Sequence, residues 1–459
     1  MNARAESLRP WLDERRVLRI GLLVAGGFVM AAMSAFALPS VRAGHWAGTH
    51  LALAGAALAA VGTFMPHFGA TLAGSEPEPA QIRLAGVLTL ALGAASVVGG
   101  VSTGTHQWAV AGSVLIWVGL VITAWTTFRP AARPLARRHP IAQAAYAAAL
   151  LQVAAGIALP ALMLAGWEPA VAGWRQLKPA HVWLNLFGFL SLTIAATLVY
   201  LYPTVLGARI RARGSLLPMI GGMAAGPPLV AVAAIAGSQW LGLLGAVLSV
   251  VGGLGQALYA VQVWLGRGRW TTDPGWHRVT SGHLAAAIAW YVVSVTAVGA
   301  GVVRDGVAPA GWTLGAAAIP LVGGWALQAL VGAWSHLLPA VASTEPARRA
   351  RQRATLGRAA WPRLLAWNGG VLLAWLGVAG GTLPVTVVGA LTLWAAAALA
   401  VALLVISLWA LGASPAGGTP AASLPITADP LTSARPDGPA NQGGSALPRG
   451  VPTARASSR

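Results

Sequence analysis

AHVWLNLFGFLSLTIAATLVYLYP, residues 180–203, is the stretch whose reading decides the fold. A helix needs about 20 mostly apolar residues to cross the hydrocarbon of a bilayer, and this stretch is long enough. It nonetheless carries His181 and Asn185 near its start and Tyr200-Leu201-Tyr202-Pro203 at its end. Polar and ionisable groups inside a span are expensive and mark either function or contact between helices.

The chain around it has the same character. Of its 459 residues, 56% are hydrophobic and 9% charged, whereas a soluble domain has about a quarter of its residues charged. Such a chain cannot cover a water-facing surface, and the lipid bilayer is its first partner. Twelve spans can be drawn, at about 17–38, 47–66, 82–104, 107–128, 141–165, 180–205, 216–236, 240–265, 280–303, 312–338, 364–383 and 385–411. Backbone groups in lipid must be satisfied within the segment, so these spans are helices. The expected organisation is a basic N-terminus, 1–16, a twelve-helix domain, 17–412, and a disordered tail rich in Gly, Pro, Ser and Ala, 413–459. The first apolar run has no small-residue cleavage site before it and reads as a retained helix.

The net charge of +19 is a matter of topology rather than nucleic-acid binding. With the N-terminus in the cytoplasm and the spans alternating, 26 of the 30 basic residues fall in inner segments. Four (Arg42, Arg175, Lys178 and Arg304) fall in outer ones. That asymmetry is the positive-inside signature. It places the chain in an inner, plasma membrane as a multi-pass protein with both termini cytoplasmic.

Three spans close alike, with "VGTFMPHF", "TLVYLYPTV" and "GAWSHLLPAV". Their prolines, Pro66, Pro203 and Pro339, stand at near-equal separations with four spans in each interval. Equal spacing of a repeated feature indicates a repeated unit. The expected fold is all-α, a polytopic membrane protein of about twelve transmembrane helices in three pseudo-repeated four-helix arcs.

The chemistry falls to histidine. Cysteine is absent, and all eleven acidic residues lie in expected termini or loops. That weighs against thiolate sites, paired-carboxylate catalysis and the carboxylate relays of proton-coupled carriers. His50 and His181 begin spans two and six, which run the same way, so their imidazoles lie at similar depth. Neutral imidazole is a good ligand for copper or haem iron. His67, His283 and His336 lie near the other face and offer a separate metal or proton-entry grouping. Asn185, one turn after His181, and Gln328 in the tenth span are candidates to steady such ligands or, equally, to join helices, as is Asn368 in the eleventh.

The sixth span, with His181, Asn185, Leu186 and Gly188, resembles the H-x-x-x-N-L-x-G pattern of bacterial membrane proteins related to the haem–copper oxidase main subunit. "THLALAGAALAAVGTFMPHFGATL" is similar to that family's second helix at His50, His67 and Phe68. "LQALVGAWSHLLPAV" is similar to its tenth at Gln328, Gly332, Ser335, Leu337, Leu338 and Pro339. Within the family the nearest likeness is to the multi-spanning part of actinobacterial copper oxidase proteins, some fused to a cupredoxin nitrite-reductase-like module. The resemblance covers about residues 17–412. It implies twelve helices in three arcs, a low-spin haem on His50 and copper on His181.

This chain departs from the pattern where the tenth span lacks outer histidines and the seventh lacks a histidine pair. No Tyr lies one turn after His181. The expectation is a haem–copper oxidase-like protein that binds haem or copper through a few histidines. It would serve electron transfer or metal handling, with a cupredoxin or other redox partner. Any catalysis would be that of an oxidoreductase. The alternatives are a transporter or channel, marked by a polar cavity lined by Gln152, Asn185, Gln256 and Gln328, and a non-catalytic assembly subunit on the same fold.

Overall fold

The computed structural model describes residues 2–37, 44–133, 139–209, 214–270, 272–343 and 345–409. The tail expected at 413–459 lies outside them. Among the described residues every regular element is helical. We number the long helices α1 (Asn2–Ala37), α2 (His45–Ala73), α3 (Ala80–Thr103), α4 (His106–Phe128), α5 (Pro140–Leu164) and α6 (Trp174–Leu206). The second half holds α7 (Leu216–Ala236), α8 (Gln239–Leu265), α9 (Pro274–Asp305), α10 (Gly315–Ala340), α11 (Ala360–Ala379) and α12 (Leu383–Trp409). All but α11 are long and apolar enough to cross a membrane. Pro362, Arg363 and Asn368 dilute α11, but it still packs along α12. The chain is an all-α polytopic membrane protein. The expected boundary at 16/17 is internal to α1, which runs unbroken from Asn2.

Three units of four helices are visible in the packing. The closest helix pairs are α3/α4, α7/α8 and α11/α12, the last two helices of each unit. Their seams are built alike. Gly93 faces the backbone of Gly112, Gly226 faces that of Gly245, and Gly370 and Gly389 lie against Leu393 and Ala374. In every hairpin the two glycines stand 19 positions apart. The turn glycine (Gly104, Gly237 or Gly381) comes 11 after the first. Those three turn residues have φ of 75°, 68° and 64°, a conformation that costs glycine nothing. Small residues let backbones approach in lipid, where packing replaces the hydrophobic effect as the force between helices.

The second helix of each unit forms the centre. In the apolar stretches of α2, α6 and α10, 72, 78 and 61% of the residues are buried, against 28% in those of α5 and α12. Each of the three contains a π-helical segment: Leu51–Ala57, Trp183–Leu190 and Pro320–Ala326. Such segments are rare and concentrate at functional positions.

The expected prolines prove to be interior, not terminal. α2, α6 and α10 continue past Pro66, Pro203 and Pro339. A proline removes the N–H that would serve the carbonyl four residues earlier, and in a membrane that carbonyl must find another donor. Neighbouring helices supply it. Tyr259 donates to the Val199 oxygen freed by Pro203, at 2.6 Å. The Trp276 indole donates to the Ser335 oxygen freed by Pro339, at 2.7 Å. Gln152 donates to the Ala224 oxygen freed by Pro228, at 3.3 Å.

Candidate metal centre

We call upper the face at which the even-numbered helices begin. There α2 and α6 bring His50 and His181 together. Their ring centroids are 6.4 Å apart and their planes differ by 9°. Each histidine stands just before a π segment, which begins at Leu51 in α2 and at Trp183 in α6. Two imidazoles on one ion are separated by two metal–nitrogen bonds of about 2 Å plus the two ring half-widths. The observed spacing is of that size.

The hydrogen bonds decide which nitrogens are available. His50 Nδ1 lies 2.8 Å from the Trp46 carbonyl oxygen, and the Trp46 ring stacks on the imidazole at 4.1 Å. His181 Nδ1 lies 2.8 Å from the carbonyl oxygen of Gly156 on α5. A carbonyl only accepts, so in both rings Nδ1 carries the hydrogen and Nε2 keeps its lone pair. The Gly156 oxygen is free because Pro160 stands four residues on, the same device that serves Tyr259 and Trp276. Both rings are half-buried. The loop between α9 and α10 is tied over the start of α6, where Lys178 donates to the Trp312 oxygen at 2.9 Å and Arg175 to that of Ala308 at 3.3 Å.

Asn185 does not orient the ring in the expected way. Its amide donates to the His181 backbone oxygen at 2.7 Å. It also lies 3.1 Å from Nδ1, but that nitrogen is already a donor to Gly156. Asn185 packs against Gly156, where a Cβ would collide with its side chain. Its effect on the imidazole therefore runs through backbone and packing.

The lower histidines do not form one group. His67 pairs with Glu14 at 2.6 Å, and Arg83 binds the other oxygen of that carboxylate at 2.5 Å. His283 packs edge-on against Trp367 at 5.3 Å, and His336 stacks on Trp276 at 5.1 Å. Among the described residues no three His, Asp or Glu side chains are placed to share a metal ion. Glu14, expected in a polar terminus, is instead buried on α1. Gln328 is fully buried, donates to the Gly324 oxygen at 3.0 Å and exchanges bonds with Asn368 at 3.3 Å. Asn368 in turn accepts from Trp290 at 2.8 Å. Gln328 thus belongs to an α9–α10–α11 network and lies outside the His50–His181 pair. None of Gln152, Asn185, Gln256 and Gln328 lines the cavity between α2, α6 and α10, whose walls are apolar.

Sequence reasoning missed Gly156, Pro160 and Trp46. The signal for the first two was G-x-x-x-P in the fifth span, a carbonyl without its helical partner. No family model matches the chain, and no curated protein matches it.

Proposed function

We propose that this chain is a haem–copper oxidase-like membrane protein in which His50 and His181 hold one metal centre, copper or haem iron, through their Nε2 atoms. The observation that carries this reading is the pair itself: two near-parallel imidazoles 6.4 Å apart, each with Nδ1 bound to a carbonyl oxygen. Histidine ligands commonly donate their second ring nitrogen in this way, which fixes the tautomer and raises ligand basicity. Imidazole suits both copper and haem iron. The resemblance would give the two histidines separate roles, haem on one and copper on the other. Their proximity favours a single shared centre.

A centre with few protein ligands near one face of the bilayer suits electron transfer or metal handling, with a cupredoxin-type carrier as the partner. The 26-to-4 distribution of basic residues supports termini in the cytoplasm and a histidine pair near the outer face of a plasma membrane. The test is elemental analysis and an optical spectrum of the purified protein. Copper at one equivalent, or a haem Soret band, is expected. Either should be lost in both His50→Ala and His181→Ala. Metal-free protein that stays metal-free after reconstitution would refute the reading and leave a carrier or an assembly subunit.

A further inference from the structure

Three arginines meet at the lower face. Arg15 and Arg19 stand one turn apart on α1, and Arg19 lies within charge–charge range of Arg348 as well as of Arg15. Arg348 belongs to the short helix Pro346–Leu356 between α10 and α11. That helix is fixed on three sides. Gln352 donates to the Ser407 oxygen of α12 at 2.8 Å, and Arg353 pairs with Asp273, at the head of α9, at 2.6 Å. Leu356 is fully buried in one apolar cluster with Leu18 of α1 and Leu338 of α10. Leu18 adjoins Arg19 in the chain, so the packing that seats the short helix also brings Arg348 to α1.

Like charges repel, and a place that gathers three of them is favourable only with an anion among them. The described carboxylates nearby do not supply it. Glu14 holds His67 and Arg83, Asp273 holds Arg353, and Glu345 is exposed and makes no ion pair with Arg348. Arg348 is half-buried, and its Nε hydrogen is buried without an acceptor among the described residues, a costly state for a donor. It also stands in the first turn of its helix, where the dipole favours negative charge. The outer side of α1 indicates what the anion is attached to. Arg19 is exposed and heads an open stripe of Leu23, 42% exposed, Gly27, with free space at its Cβ, and Met30, 39% exposed. From Arg19 to Met30 is about 16 Å at 1.5 Å per residue, roughly half of a hydrocarbon core about 30 Å thick. A phosphate at the arginines therefore has one leaflet's depth of apolar surface beside it.

We infer that Arg15, Arg19 and Arg348 bind the headgroup of an anionic phospholipid such as phosphatidylglycerol, with its acyl chains along Leu23 and Met30. A zwitterionic headgroup brings its own cation and leaves the three charges uncompensated. The site is at the face opposite His50 and His181, so it does not rest on the metal centre. The test titrates purified full-length protein in nonionic detergent with dioleoylphosphatidylglycerol, dioleoylphosphatidylcholine or glycerol 1-phosphate and follows thermal unfolding. The midpoint should rise with phosphatidylglycerol, far less with the other two, and the rise should shrink as salt is added. Arg348→Gln and Arg19→Gln should each lower the apparent affinity for phosphatidylglycerol about fivefold, the worth of one basic residue at an anionic surface. Arg19 is exposed, so its variant carries the test if Arg348→Gln does not fold. Arg267→Gln removes a charge of the same face that lies over Trp264, and it should keep the unaltered affinity. Equal stabilisation by phosphatidylcholine or by glycerol 1-phosphate, unchanged affinity in Arg19→Gln, or an equal loss in Arg267→Gln would overturn the inference.

Discussion

His181 Nδ1 lies 2.8 Å from the carbonyl oxygen of Gly156, and that oxygen is available because residue 160 is proline. The ring is held by a vacancy in the hydrogen-bond ladder of another helix. Pro160→Ala restores the competing N–H. We expect it to weaken copper binding by about tenfold, the lower end of the range for lost outer hydrogen bonds to a ligand. Asn185→Ala, which removes a bond to the His181 backbone oxygen and leaves the Nδ1–Gly156 bond in place, should weaken it less. Competition titration with a chelator on purified protein measures both.

The same device predicts a thermodynamic cycle on α6. Tyr259→Phe leaves the Val199 oxygen without a donor in a buried setting, a loss of about 1–3 kcal/mol. In a Pro203→Ala background the restored N–H satisfies that oxygen. The same Tyr259→Phe change should then cost clearly less. Thermal or denaturant unfolding in detergent gives the four values. Equal costs in both backgrounds would refute the pairing.

Glu14 accepts from His67 and Arg83 at once, and both Glu14 and Arg83 are nearly inaccessible. Glu14→Gln leaves Arg83 buried without its counter-charge. Breaking a buried pair costs about 3–5 kcal/mol, and we expect a large fall in the unfolding midpoint. A double variant, Glu14→Gln with Arg83→Met, should recover part of it.

The glycine seams make a positional prediction. Gly93→Ile places a branched side chain against the backbone of Gly112 and Ile116 and should disrupt the hairpin. Gly99→Ile, on the same helix with open space at its Cβ, should be tolerated. Yield of monodisperse protein from membranes distinguishes the two.

The all-α membrane class and the triplicate plan were readable because span length and proline spacing are properties of the chain alone. The nearness of His50 and His181 was readable too, since two helices entering from one side place their first turns at one depth. The lower grouping was not. His67, His283 and His336 share a depth, but depth does not fix azimuth. Each faces a different neighbour, Glu14, Trp367 and Trp276. The partners of Gln328 were not legible either: it bonds to Asn368 on α11 and stands beside His283 on α9, and no periodicity within α10 names those helices. The π segments leave no mark in composition, because they alter hydrogen-bond register without changing residue type.

The hairpin turns also bear on how the chain enters the membrane during synthesis. α11 alone falls short of the apolar character of a span, whereas α12 is the most apolar helix in the molecule. The two are joined through Gly380–Thr382 and closed along Gly370, Gly377 and Gly389. α12 therefore supplies most of the hydrophobic drive of this pair, and insertion of the two as one hairpin lowers the cost of bringing α11 into lipid.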